Sequence, residues 1–162
     1  MPVGFPKLTK AARKYLERHA EPEATLAGGL AEVAEPYEAV VVIPAYAEHD
    51  LLLRALASVP GTRRGKPLVV LVVNQRDGCP DWVGDANRKL LETLRTDPAN
   101  QQPPRSLGAQ VEWLVTSSFD LVLIDRASPG HRLPERQGVG LARQSGADCA
   151  RAEARRGGTG GR

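Results

Sequence analysis

Residues 68–73, Leu68-Val69-Val70-Leu71-Val72-Val73, form an unbroken aliphatic run that closes on Asn74-Gln75-Arg76-Asp77-Gly78. Six apolar residues rich in valine, bounded by turn-forming residues, predict a strand buried on both faces, as in the middle of a parallel sheet. Two other stretches read the same way. Ala39-Val40-Val41-Val42-Ile43 is broken by Pro44-Ala45-Tyr46, and Phe119-Asp120-Leu121-Val122-Leu123-Ile124-Asp125 leads into Arg126.

Between these strands the apolar spacing changes to three and four. Residues 49–59 predict a helix capped by Asp50, with Leu52, Leu53, Leu56 and Val59 along one side. Residues 81–96 predict a second, capped by Asp81, with Val83, Ala86, Leu90, Leu91 and Leu94 inward. A helix over 7–20 precedes the first strand, and another runs from about Gly138 to Glu153. Asp97–Gly108, with three prolines, reads as a loop, and 109–118 fits either strand or helix. Strands alternating with helices predict an α/β protein, a three-layer α/β/α arrangement around a mostly parallel, Rossmann-like sheet.

The 162 residues suit one domain, and 41% hydrophobic with 25% charged residues is an ordinary globular balance. Residues 1–142 carry 17 basic and 17 acidic side chains, so the net charge of +3 lies wholly in the last twenty residues, an Arg/Gly-rich end. A neutral body predicts no nucleic-acid partner. Cys79 and Cys149 are too few for a disulfide scaffold or a four-thiolate zinc site, and suit reduced thiols in the cytoplasm. The start of the chain has no secretory h-region, and the longest apolar runs fall well short of a spanning helix. The expected location is cytoplasmic, with peripheral attachment to the inner membrane face as the other option.

In open α/β sheets, ligands sit beyond the carboxyl ends of the strands. Those ends carry Pro44-Ala45-Tyr46-Ala47-Glu48, Asn74-Gln75-Arg76-Asp77 and Asp125-Arg126, which predicts one polar crevice. Other motifs fail on spacing or context. Gly61–Pro67 has three residues between its glycines and precedes a strand, unlike a phosphate-binding loop, and Gly138–Arg143 follows a charged loop and holds Arg143 where a dinucleotide fingerprint needs glycine. His19, His49 and His131 have no metal-binding spacing, and no Gly-x-Ser-x-Gly elbow is present.

Val41-Val42-Ile43-Pro44-Ala45-Tyr46-Ala47-Glu48 resembles the first strand of family 2 glycosyltransferases, whose usual text is V-I-P-A-Y-N-E. Leu56-Ala57-Ser58 is similar to the end of that family's next helix, and Gln137–Gly146 to its N-x-G-x-x-x-A-R-N-x-G helix start. The resemblance spans about residues 39–150. It implies a GT-A fold and a nucleotide-diphosphate sugar as ligand. Pro44, Ala45, Tyr46 and Glu48 would line the base and ribose pocket, Asn74 and Asp77 the second exit, and Gly138, Gly140 and Arg143 the flank of the nucleotide.

The family's metal-binding Asp-x-Asp appears nowhere in this sequence, and its Asp-Asp-Gly-Ser exit is Asn74-Gln75-Arg76-Asp77 here. The divalent metal, Mg²⁺ or Mn²⁺, that the resemblance implies therefore lacks its ligand motif, and no residue is assigned as catalytic or metal-binding. The expected organisation is a helical extension over 1–38, a partial GT-A nucleotide-sugar-binding domain over 39–154, and a disordered tail over 155–162. The expected function is a glycosyltransferase-like protein that stops before the metal-binding motif and is inactive or impaired alone, with a protein partner or oligomer to complete it. The alternatives are a non-catalytic binding or interaction fragment, or an unrelated small α/β enzyme.

Overall fold

A computed structural model of the chain describes residues 37, 39–60, 65–108 and 110–134, with the helical positions 10, 11, 14, 18, 143, 144, 147 and 148. The elements are β1 (Val40–Ala45), α1 (His49–Ala57), β2 (Leu68–Asn74), α2 (Asp81–Arg95), β3 (Arg105–Gly108), β4 (Val111–Val115) and β5 (Asp120–Arg126). They form one five-stranded sheet in the order β1-β2-β5-β4-β3. β1, β2 and β5 are parallel, whereas β4 runs antiparallel to β5 and β3 antiparallel to β4. The small α/β, Rossmann-like fold is as expected.

Alternation along β2 divides the core. Val69, Leu71 and Val73 join Leu121 and Leu123 of β5 and Leu52, Leu56, Leu90, Leu91 and Leu94 of the two helices. Leu68, Val70 and Val72 join Val122, Ile124, Val111 and Trp113 with Tyr37 and Leu133 on the opposite face. Both helices share one face because β1, β2 and β5 step across the sheet in one direction, and right-handed crossovers then keep their connections on one side. Every residue of β2 is buried, and β5 is buried up to Asp125.

Several expectations need correction. β1 is not a strand buried on both faces: it is an edge strand, and Val41 is 42% exposed. It also continues through Pro44 to Ala45, in register with Val72 and Val73. An edge strand needs ladder bonds on one side only, so a proline fits there. The loop over 97–108 contains β3, and the ambiguous stretch 109–118 contains β4; together they make an antiparallel hairpin rather than a further βα unit. Neither Asp50 nor Asp81 caps its helix. The N-cap residues are Glu48 and Pro80, and neither makes a side-chain capping bond. Asp50 instead meets His49 Nδ1 at 2.7 Å.

The helical positions Lys10, Ala11, Lys14 and Arg18 fall within the helix expected over 7–20, and Arg143, Gln144, Ala147 and Asp148 within that over 138–153. The expectations for 155–162 and for Gly138 and Gly140 lie outside the described residues. Among the described residues no helix is long and apolar enough to cross a membrane.

Candidate functional site

The carboxyl ends of β1 and β2 are tied together by two buried asparagines. Asn74 Nδ2 donates to the Ala45 carbonyl at 2.7 Å. Asn87, on α2 and fully buried, donates from Nδ2 to the Asn74 carbonyl at 3.1 Å and accepts the Ala47 N–H on Oδ1 at 3.0 Å. Ala47 adopts a left-handed backbone, φ 54°, immediately after β1. That conformation is uncommon for a residue with a Cβ, and the bond from Asn87 holds its N–H in place.

The exit of β5 is shaped by Asp125. Its Oδ1 accepts the N–H groups of Ala127 (3.0 Å) and Ser128 (2.9 Å), and its Oδ2 accepts the Ser128 hydroxyl at 2.6 Å. Arg95 stands 3.6 Å from the same oxygen. Burial pushes the Asp125 carboxyl up, but the Ser128 hydroxyl, the two N–H groups and the Arg95 guanidinium outweigh it and hold the acid below its ordinary range. The chain then turns at Gly130, φ 86°, a value that favours glycine. It returns beside β2, where Leu133 N–H bonds the Gln75 carbonyl at 2.9 Å and Asp77 N–H bonds the Leu133 carbonyl at 3.1 Å.

The exits of β2 and β5, with α2, line a cleft of about 500 Å³. One wall is the face of α2 bearing Asp81, Gly84, Asp85, Arg88 and Leu91, at helical spacings of three and four. The other is the β5 exit, Ala127, Ser128, Pro129 and Arg132, and Gln75 and Cys79 complete the lining. Gln75 is only 4% exposed. Its Oε1 faces Asn87 Nδ2 at 3.5 Å. Gly84 lets it sit close to α2, since a methyl group there would lie 3.3 Å from Gln75 Nε2.

The residues expected from the sequence take varied positions. Ala45 and Asn74 are brought together as partners, both buried. Pro44 and Tyr46 are half-buried, Glu48 is exposed at the head of α1, and Asp77 is exposed beside Leu133. Arg143 is exposed on a helical position, and Gly138 and Gly140 lie outside the described residues. The described lining of the cleft comes from other residues, Gln75, Arg88, Ser128 and Arg132 among them. Gln75 could have been found as the neighbour of Asn74 at the same strand end. Asn87 could have been found as a polar residue on the apolar stripe of α2, four after Val83 and four before Leu91.

No family model, curated protein or solved structure matches the chain. Among the described residues no three His, Cys, Asp or Glu side chains gather to hold a metal ion. The described cleft lining offers hydrogen-bond donors and acceptors from Gln75 and Ser128 and charges from Asp81, Asp85, Arg88 and Arg132.

Proposed function

We propose that the protein binds a nucleotide-diphosphate sugar at the carboxyl end of its sheet, as the nucleotide-binding half of a glycosyltransferase-like domain. The observation that carries this reading is the cleft of about 500 Å³ beyond β2 and β5, where the polar strand ends converge. The likeness of Val41–Glu48 to the first strand of family 2 glycosyltransferases gives the ligand class. The Asn74–Asn87 clasp fixes the β1 and β2 exits, so the part of the ligand that extends beyond the cleft would meet a prepared surface at Tyr46, Glu48 and Asp77, none of which lines the cleft itself. The carboxylates of Glu48 and Asp77 would accept hydrogen bonds from ribose hydroxyls and base N–H groups. The reading is confined to binding, since the sequence holds no Asp-x-Asp pair.

Calorimetry with UDP-, GDP- and dTDP-sugars, with and without Mn²⁺, tests it. One nucleotide series should give saturable heat, and Glu48→Ala should weaken it about tenfold, as for one lost charge-assisted hydrogen bond. No heat with any of the three, or heat unaffected by Glu48→Ala, overturns the reading.

A further inference from the structure

Inside the cleft, the hydrogen-bonding capacity left over is unusually well defined. The Ser128 hydroxyl gives its only proton to Asp125 Oδ2 at 2.6 Å, so toward the cleft that Ser128 lines its oxygen can serve only as an acceptor. Gln75 turns Oε1 toward Asn87, and its Nε2 has no hydrogen-bond partner among the described residues, although the residue as a whole is only 4% exposed. Gln75 lines the cleft beside Gly84, so this N–H is available to a ligand or to water there. The cleft thus presents one unfilled donor and one unfilled acceptor.

The charge on the walls decides what can fill them. Asp81 and Asp85 are matched by Arg88 and Arg132, and Arg88 is already paired with Asp85. An anion gains no net attraction from such a lining. A neutral ring bearing several hydroxyls does better, because each hydroxyl both accepts and donates: one can accept from Gln75 Nε2 while another donates to Ser128 Oγ.

We infer that this cleft is a polyol site that holds a neutral sugar ring by its hydroxyls, with Gln75 Nε2 and Ser128 Oγ as its contacts. The inference deepens the nucleotide-sugar reading and rests on it for the natural ligand, since it names the sugar as the part that enters the cleft.

The test is ¹H–¹⁵N NMR on the full chain, titrated to high millimolar concentration with D-glucose, N-acetyl-D-glucosamine, myo-inositol and, separately, inorganic phosphate. At least one of the three polyols should shift the Gln75 side-chain amide and the backbone amides of Gly84 and Ser128, and phosphate should not. Gln75→Glu, which replaces the donor by an acceptor, should weaken that binding about tenfold. Gly84→Ala, which crowds Nε2, is the second variant should Gln75→Glu disturb the spectrum of the core.

Shifts with phosphate alone, no shifts with any polyol, or polyol binding unaffected by either variant overturns the inference. Binding of UDP without any polyol effect leaves the nucleotide reading standing and removes this one. A polyol effect without nucleotide binding does the reverse.

Discussion

Two buried aspartates stand five residues apart on β5, and they do opposite things. Asp120, at the foot of the sheet, joins distant parts of the chain. Tyr37 donates its hydroxyl to Oδ2 at 2.9 Å, and Lys66 Nζ stands 3.4 Å from Oδ1. Lys66 also donates to the Thr116 carbonyl, so the entry to β2 and the β4–β5 turn are held to one carboxylate. Asp125, at the crown, takes its side-chain hydrogen bonds from Ala127 and Ser128, within three residues of itself, and shapes a turn, with the Arg95 guanidinium of α2 standing 3.6 Å away. At the foot both Asp120 oxygens have protein partners, whereas the crown leaves Gln75 Nε2 without one among the described residues. Polar burial at the foot joins distant segments, and polar burial at the crown, on the reading proposed above, also prepares a surface for a ligand.

The largest effect should come from breaking the crown clasp. Asn87→Ala takes a partner from the part-buried Ala47 N–H and from the buried Asn74 carbonyl. At about 1–3 kcal/mol for each unsatisfied buried group, the expected loss is about 3 kcal/mol by urea denaturation. A loss below about 1 kcal/mol would mean that water or a shifted Gln75 replaces the asparagine, and the crown would not be the prepared surface proposed above.

Asp125→Asn comes next, at about 2 kcal/mol near neutral pH, since charge-assisted bonds to two N–H groups and a hydroxyl are weakened. Its signature is the pH dependence. The Asp125 carboxyl titrates below its ordinary range, so the unfolded chain takes up the proton first as pH falls. The stabilisation is full above the ordinary aspartate range and is lost as pH drops through the depressed folded value. Denaturation followed from pH 7 downward should therefore show a shallower acid limb in the asparagine variant. An unchanged limb would break the assignment of Asp125 as the charged centre of this turn.

At the foot the effects should be smaller per change, because Asp120 has two partners. Tyr37→Phe removes one hydrogen bond and leaves Lys66 in place, for about 1 kcal/mol. Lys66→Met should cost a similar amount, with its side chain 35% exposed. If the two together cost well beyond their sum, the foot acts as one coupled network, which a double-mutant cycle reads directly.

Much of the frame was legible in the sequence. The run Leu68–Val73 reads as a central strand because burial on both faces leaves no polar position, and α2 reads as a helix because its apolar residues recur at three and four. The hairpin of β3 and β4 was hidden. Arg105–Gly108 is polar and half-exposed at a sheet edge, and Glu112 interrupts β4, where it is held by Arg95 at 2.7 Å. Neither stretch needs an apolar pattern, so neither announces itself. The β1 exit supplied four of the nine expected site residues, Pro44, Ala45, Tyr46 and Glu48, because it carried the family-like text. The cleft lies one strand over, since its lining depends on which face α2 turns toward Ser128, a tertiary fact that local sequence does not encode.

The smallest effect belongs to a crown ion pair that looks as specific as the foot pair. Arg88 and Asp85, three residues apart on α2, are in direct contact, yet both side chains are 70% exposed. Solvent and salt screen such a pair, and holding two long side chains in one arrangement costs entropy. Arg88→Ala should therefore change stability by no more than about 0.5 kcal/mol, against about 1 kcal/mol for Lys66→Met, whose partner carboxylate is only 10% exposed. Added salt should shrink the Arg88 effect further and leave most of the Lys66 effect in place. If Arg88→Ala proved the more damaging, Arg88 would be bracing the cleft wall through packing along α2, and foot and crown could no longer be divided into assembly and surface.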